Sequence, residues 1–169
     1  EFIECGVDRV TRGDHQPDTL SLAEMCGERV DGVGRGRTRV RGRRDCLVVD
    51  VESRDELLAF SDRHPSVFTC LGVHPSGTGT DPSEDELVRL AADERFVAVG
   101  ETGLDYITDS GDLTWQRERF RRHIRAARRL DKPIIVHSRG APEDTVRILQ
   151  EEDAETVGGV IHCFVEDLA

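Results

Sequence analysis

Three apolar segments of the sequence each run directly into a residue that can bind a metal ion. Residues 96–99, 133–136 and 159–161 show no helical periodicity and have the length of buried strands. The residues that follow them are Glu101, after a predicted break at Gly100, His137 and His162. In a parallel α/β protein the carboxyl ends of the strands meet at one face, where such proteins place their chemistry. The sequence therefore predicts that these three side chains lie close together.

Strands and helices alternate along the sequence, which indicates a parallel sheet covered by helices. Strands are predicted near residues 47–49 and 67–71 as well, and residues 2–7 form a weaker candidate. A doubly wound sheet and a partial barrel both fit this order. Metal-binding residues after successive strands favour the barrel, where all strand ends face one mouth. Because 169 residues are fewer than the roughly 200 of a complete barrel, we expect an α/β fold of the partial TIM-type (β/α) barrel class.

The helices are predicted from their start signals and apolar stripes. Residues 53–56 and 83–86 both match the capping box, in which a Ser and a Glu three positions later satisfy free N–H groups. A long helix is predicted over residues 114–130. Its arginines are interpreted as a solvated outer surface rather than as a phosphate-binding face. These arginines are Arg117, Arg119, Arg121, Arg122, Arg125, Arg128 and Arg129.

The composition excludes some classes of protein. A net charge of −11 argues against general nucleic-acid affinity, because phosphate binding needs a local excess of Lys and Arg, although a localised basic patch is compatible with it. The five cysteines include no CxxC pair, so neither a zinc ribbon nor a disulfide framework is indicated. Reduced cysteines, with no signal peptide and no apolar run of membrane length, predict a soluble, cytoplasmic protein without membrane partners.

Residues 11–44 are poorly organised compared with the rest of the chain. Within this segment residues 32–44 alternate Gly and Arg and contain almost no apolar side chains, so they cannot bury enough surface to order themselves. The segment is interpreted as a disordered loop or an insertion, and the alternative is an arginine-rich nucleic-acid arm. We expect residues 1–169 to form a single, incomplete barrel domain that contains this segment.

The residues at the strand ends suit divalent metal chemistry. Glu101, His137 and His162 are mixed oxygen and nitrogen donors, which bind Zn²⁺, Mn²⁺ or Fe²⁺, and Mg²⁺ where carboxylates and water dominate. For each histidine alone, a hydrogen-bonded core residue is the alternative interpretation. Arg139 could hold a phosphate in bidentate fashion, or could form a surface ion pair. Cys163 is interpreted as a packing residue, because no general base accompanies it.

Several motifs resemble one known family when taken in order. They are GVHP at residues 72–75, GETGLDY at 100–106, WQRERF at 115–120, PIIVHSR at 133–139 and GVIHCF at 159–164. Together they resemble the TatD family of metal-dependent deoxyribonucleases, over residues 46–164. The resemblance implies a TIM barrel that holds one or two divalent ions (Mg, Mn or Zn). It also implies phosphodiester hydrolysis of DNA, with nucleotides released from an end by a metal-activated water.

The resemblance also implies roles for individual residues. Glu101 corresponds to a catalytic, metal-bridging carboxylate, and His137 and His162 correspond to metal ligands. Arg139 and Tyr106 are expected near the nucleic-acid backbone. His74 follows a strand and precedes a proline, so we expect it on the loop that supports substrate binding, outside the direct ligand set. The DNA partner is expected as single strands or ends.

The sequence departs from the family pattern at both ends. Many members begin with an H-x-H pair, whereas residues 2–8 resemble the subgroup in which a Gly-x-Asn takes that place; Gly6 and Asp8 would then occupy these positions, and only Asp8 could ligate. The late aspartate that serves the family as ligand and general base has no counterpart within the 169 residues, and neither do the last two β/α units. We therefore expect this chain alone to be weakly active or inactive.

Two other functions stay open from the residues. The same metal site could hydrolyse another small ester or amide, since this barrel hosts many chemistries. Alternatively, the chain could be a non-catalytic module that binds nucleic acid through residues 32–44.

Overall fold

The computed structural model of the chain describes residues 2–5, 45–49, 51–64, 67–79 and 81–162. The predictions made for the segment 11–44, for Gly6, for Asp8 and for Cys163 lie outside these residues. No helix within the described ranges is long and apolar enough to cross a membrane.

Strands and α-helices alternate through the described part of the chain. The strands are β1 (Phe2–Cys5), β2 (Asp45–Val49), β3 (Val67–Leu71), β4 (Phe96–Asp105), β5 (Ile134–Arg139) and β6 (Gly159–His162). The α-helices are α1 (Arg54–Arg63), α2 (Glu84–Ala91), α3 (Thr114–Leu130) and α4 (Pro142–Glu151). Two 3-10 turns, Val51–Ser53 and Ala154–Thr156, precede α1 and follow α4.

The strands form one parallel sheet in the order β1-β6-β5-β4-β3-β2. From β3 to β6 each strand lies beside the one that precedes it in the sequence, and β1 lies beside β6. A doubly wound sheet instead reverses its strand order at a switch point. The consecutive order is that of a barrel segment, and the predicted α/β fold of partial TIM type is confirmed on this point.

The core lies between the sheet and the helices that cover it, and α3 is the longest of these. The predicted apolar stripe of this helix is confirmed, since Phe120, Ile124 and Ala127 are fully buried against strand residues such as Phe96 and Ile134. Burying a large aliphatic or aromatic side chain contributes about 1.5–3 kcal/mol. These contacts fix α3 against β4, and therefore fix its inward polar residues relative to the strand ends.

Two of the predicted strands extend further than expected. The sequence places a break at Gly100, but β4 continues to Asp105 and β5 continues to Arg139. The two strands pair through Gly103 with His137 and through Asp105 with Arg139. Gly103 does not end the strand but permits the backbones of β4 and β5 to approach closely. A Cβ on Gly103 would lie 2.1 Å from the carbonyl oxygen of His137.

Two helix predictions need correction. Ser83 caps α2 as expected and forms the full capping box with Glu86, but Ser53 makes no side-chain capping bond to α1. The preceding 3-10 turn gives Ser53 φ −94° and ψ 10°, whereas a capping residue needs an extended conformation. The arginines of α3 do not all lie in solvent either, because Arg119 is only 5% exposed.

Candidate metal centre

Three metal-binding side chains meet at the carboxyl end of the sheet. His74 lies just after β3, Glu101 lies within β4 and His137 lies within β5. Each offers one ligand atom, and these atoms all lie within 4.8 Å of one another. We call His74, Glu101 and His137 the donor cluster. Glu101 and His137 were predicted from the sequence as ligands, whereas His74 was expected on the substrate side.

The spacing inside the donor cluster matches that of ligands around one cation. Glu101 Oε1 lies 2.9 Å from His137 Nδ1 and 3.4 Å from His74 Nε2, and the two nitrogens are 3.3 Å apart. Ligand atoms about 2.1 Å from a metal lie roughly 3.0 Å apart at right angles and roughly 3.4 Å apart in a tetrahedron. The spacing therefore fits a divalent cation, and the mixed oxygen and nitrogen donors suit Zn²⁺, Mn²⁺ or Fe²⁺, and Mg²⁺ where carboxylates and water dominate.

Glycines bring the elements of the donor cluster together. A Cβ on Gly72, two residues before His74, would lie 2.6 Å from the Cα atom of Gly100, which precedes Glu101. Gly100 itself has φ +140°, a conformation that other residues rarely adopt. The missing side chain of Gly72 lets the end of β3 approach β4 backbone to backbone, so His74 reaches Glu101, and that of Gly100 lets β4 approach Ile135 in β5.

Asp105 lies on the other side of the His137 ring from Glu101. Its Oδ2 atom is 3.5 Å from His137 Nε2, and the carboxylate is 2% exposed. Burial raises the pKa of Asp105, but hydrogen bonds from the N–H and hydroxyl of Thr108 and from the N–H of Ile107 outweigh it and hold the pKa below its ordinary value. A carboxylate that faces one nitrogen of an imidazole commonly directs the other nitrogen towards a metal.

The third predicted ligand, His162, is placed only through its backbone. It ends β6 and pairs with His137 in the neighbouring strand. Its side chain lies outside the described residues. The strand register is consistent with the predicted role, which stays a prediction.

The two residues expected near the substrate have different surroundings. Arg139 is half exposed, and its Nη1 atom lies 3.9 Å from Asp105 Oδ2, so its guanidinium faces the mouth beside the donor cluster. Tyr106 donates its hydroxyl to Asp144 Oδ2 at 2.6 Å and accepts a hydrogen bond from Arg117 at 3.1 Å. Burial, followed by the bond to Asp144, raises the pKa of Tyr106. In this structure its hydroxyl links β4 to α3 and α4.

The sequence interpretation assigned no role to three buried polar residues of this region, Asp105, Arg119 and His123. Asp105 stands inside the GETGLDY motif, but nothing in its spacing shows which histidine it faces. Arg119 and His123 could not be singled out in the sequence because α3 is rich in arginine. A detectable signal existed, since both share the inward face with Phe120, and a buried polar residue on an apolar stripe commonly has a specific partner.

Comparison with known proteins identifies one matching family and several relatives of the chain. A family model described as TatD related DNase matches residues 27–169. The uncharacterized metal-dependent hydrolase YcfH of Escherichia coli K12 is 48% identical over 106 residues, which make up 63% of this chain and 40% of that protein. The 3'-5' ssDNA/RNA exonuclease TatD of Cronobacter turicensis is 32% identical over 116 residues, covering 68% of this chain and 44% of that protein.

Solved structures show the same fold. The crystal structure of YJJV, a TatD homolog from Escherichia coli K12, aligns with a TM-score of 0.66 and 27% identity over 74% of this chain and 50% of that one. The chain spans less than half the length of the two curated relatives named above. The match of the family model, together with the His–Glu–His cluster at the strand ends, shows that the chain belongs to the TatD-related DNase family of metal-dependent hydrolases.

Proposed function

We propose that the donor cluster binds a divalent cation and forms part of a phosphodiesterase site that hydrolyses DNA at single strands or ends. The observation that carries the proposal is the 2.9–3.4 Å spacing of the three donor atoms. The name of the Cronobacter turicensis relative, an ssDNA/RNA exonuclease, supports a nucleic-acid substrate. When bound, such a cation lowers the pKa of water and polarises a phosphoryl oxygen, which is the chemistry that phosphodiester hydrolysis needs.

The residues in and beside the donor cluster have different roles in holding the ion. Glu101 Oε1 accepts a hydrogen bond from His137 Nδ1 at 2.9 Å, and a cation would take the place of that proton. Asp105 faces Nε2 of the same ring and keeps Nδ1 directed at Glu101. His162 completes the set as predicted from the family resemblance. One or two ions of Mg, Mn or Zn stay the expected occupants.

Arg139 supplies the local positive charge that a phosphate substrate requires. The whole chain has a net charge of −11, so attraction to nucleic acid has to come from a few groups at the site. The guanidinium of Arg139 is half exposed beside Asp105 and can form two parallel hydrogen bonds to a phosphate. The cytoplasmic location expected from the sequence stays a prediction.

The proposal is tested by nucleotide release from end-labelled single-stranded DNA in the presence of Mn²⁺. Whatever rate the 169-residue chain shows, we expect Glu101→Gln to abolish it and Glu118→Gln to leave it unchanged. Glu118 is a matched control because it is an exposed glutamate on α3, away from the donor cluster. RNA and p-nitrophenyl ester substrates run in parallel. Hydrolysis of the esters that depends on Glu101, without cleavage of DNA, would instead support the small-substrate alternative.

The role of His74 is decided by a separate measurement. If His74 is a ligand, as the spacing favours, His74→Ala weakens Zn²⁺ binding measured by calorimetry. If it contacts only the substrate, as the sequence interpretation had it, Zn²⁺ affinity is retained and only the affinity for DNA falls. A nucleic-acid module acting through residues 32–44 would keep its DNA affinity in both Glu101→Gln and His74→Ala.

A further inference from the structure

Helix α3 presents three buried polar residues to the segments that carry the metal centre. Gln116, Arg119 and His123 are 0%, 5% and 0% exposed, and the helix spacing places them on one face. Gln116 brackets the backbone of Asp105, because its Oε1 atom accepts from the Asp105 N–H at 3.0 Å and its Nε2 atom donates to the carbonyl at 3.3 Å. The other two residues contact the segment that carries His74.

Arg119 binds both ends of the turn that begins at His74. Its Nη1 atom donates to the carbonyl oxygens of His74 at 3.1 Å and Gly77 at 3.0 Å, and its Nε atom donates to Asp81 at 3.1 Å. The turn is closed by a hydrogen bond from the Gly77 N–H to the His74 carbonyl at 2.8 Å. The guanidinium also lies over the ring of Trp115, 4.9 Å from its centroid. The planar fork of Arg is needed for such a set of bonds, which a lysine ammonium cannot reproduce.

His123 binds the residue just before His74. Its Nε2 atom accepts a hydrogen bond from the Val73 N–H at 3.0 Å. Its Nδ1 atom lies 2.8 Å from the Arg119 carbonyl oxygen, which can only accept, so Nδ1 carries the proton. The imidazole is therefore neutral, with a defined tautomer, and it connects the helix to the end of β3.

We propose that Arg119 and His123 are positioning residues that hold the His74 backbone so that its imidazole stays beside Glu101 and His137. The proposal rests on the proposed function in one respect, namely that the donor cluster is the working site. Arg119 donates two hydrogen bonds to the turn that begins at His74, and His123 accepts one from Val73. Both side chains lie on a single face of α3. Neither residue touches the reacting atoms, so their effect acts through His74.

The first test reads the position of His74 without any metal. The chain contains six histidines, so the Cε1–H resonances are few enough to assign by NMR, with His74→Gln identifying its own signal. The rings of His74 and His137 meet edge to face with centroids 4.5 Å apart, so a small displacement changes the ring-current shift of His74. A purely structural role of α3 would not move this signal in a variant that stays folded.

The two test variants of His123 differ in one hydrogen bond. His123→Gln places an amide oxygen near the position of Nε2 and keeps the acceptor for the Val73 N–H. His123→Asn places its amide near Nδ1 and cannot reach Val73. We expect the His74 resonance to keep its wild-type position in His123→Gln and to shift in His123→Asn.

Arg119→Lys is the independent variant, and Arg129→Lys is its matched control. Arg129 lies on the same helix, but its Nη1 atom contacts Glu84 and Asp85, away from His74. We expect the His74 resonance to shift in Arg119→Lys and to stay in place in Arg129→Lys. In the two displaced variants, His123→Asn and Arg119→Lys, Co²⁺ titration followed by visible absorption should show roughly tenfold weaker binding, the usual effect of losing support behind a ligand.

An unmoved His74 resonance in both His123→Asn and Arg119→Lys would overturn the proposal, even if both variants unfold more easily. Equal shifts in His123→Gln and His123→Asn would also overturn it, because they would show that the bond to Val73 is not what matters. Failure of the wild-type chain to bind Co²⁺ would reject the proposed metal site and leave the NMR comparison valid. The two proposals can therefore fail separately.

Discussion

Asp105 places a buried carboxylate directly beside the donor cluster. Its carboxylate faces His137 Nε2, while its other contacts fix the turn at Ile107 and Thr108. Because Asn keeps an acceptor for that turn and removes the charge, Asp105→Asn should weaken Zn²⁺ binding by about 10–100-fold while changing the free energy of unfolding little. Calorimetric titration and urea unfolding measure the two quantities.

Asp105→Ala is the companion variant. It removes the turn acceptor as well, so it should lose both metal affinity and stability. Wild-type affinity in Asp105→Asn would show that the carboxylate does not orient His137.

His123 gives the chain a pH dependence that can be measured without metal. Burial lowers the pKa of His123 from 6.5 to about 4, although the bond to the Arg119 carbonyl opposes this. The charged groups that face it are Arg119, Arg122 and Asp81. Between pH 6.5 and about 4 the unfolded chain binds a proton that the folded chain resists. The stability is therefore fully present above pH 6.5 and falls by about 3 kcal/mol as the pH drops towards 4.

The variant His123→Gln isolates this contribution. Its side chain cannot titrate, so the difference in the free energy of unfolding between wild type and variant should change by about 3 kcal/mol between about pH 7 and about pH 4. Urea unfolding at several pH values gives both curves. Curves that run parallel over this range would mean that His123 is not buried in its neutral form.

At the scale of elements, the approach of β3 to β4 sets where the donor cluster forms. Gly72→Ala would place a Cβ 2.6 Å from the backbone of Gly100, which cannot move aside as a flexible side chain would. We expect a loss of about 1–3 kcal/mol in the free energy of unfolding and weaker Zn²⁺ binding, because the strand ends must separate. Thermal unfolding and calorimetry measure these two effects.

Gly111→Ala serves as the control for this change. Gly111 has φ +94°, and no atom of the described residues lies within 4 Å of the place that an alanine methyl would occupy, so alanine there adds backbone strain without a clash. It should lower stability and leave Zn²⁺ affinity at the wild-type value. Equal effects of the two substitutions on metal affinity would show that the close approach of β3 and β4 is not needed.

The elements themselves were largely predictable, whereas their exact ends were not. Apolar runs and the box at residues 83–86 located the strands and α2, because burial and capping are local requirements. Ser53 shows the limit of predicting helix ends from sequence, since its conformation depends on the turn before it and not on its own sequence motif. The end of β4 was missed because glycine weakens an isolated strand but permits close pairing in a sheet.

For the whole molecule, metal binding and folding should be linked. A cation that binds only the folded chain adds about 2.7 kcal/mol to the free energy of unfolding at a free concentration of about 100 times its dissociation constant. We therefore expect Zn²⁺ or Mn²⁺ to raise the thermal midpoint of the wild type. Glu101→Gln should remove this rise, and Glu118→Gln should retain it.

A rise of the same size in Glu101→Gln would place the bound ion elsewhere in the chain. The thermal midpoint reports metal binding directly, so this measurement needs no nuclease activity.

The candidate site could be predicted in part because ligands follow strands, and parallel strands share one end. Glu101 and His137 were found in this way. His74 was assigned to the substrate side because its closeness to Glu101 depends on the close approach of Gly72, just after β3, to Gly100 in β4, which spacing along one chain does not reveal. Arg119 and His123 required the packing of α3 to be known.

Through the inward polar face of α3, the geometry of the metal centre can be changed without changing the ligands themselves. Arg119 and His123 belong to the outer layer of helices, so replacing them alters donor spacing without deleting a donor. Related enzymes with identical ligands can then diverge in their preference for one ion over another. A directed-evolution library confined to this helix face is a direct route to such altered preference.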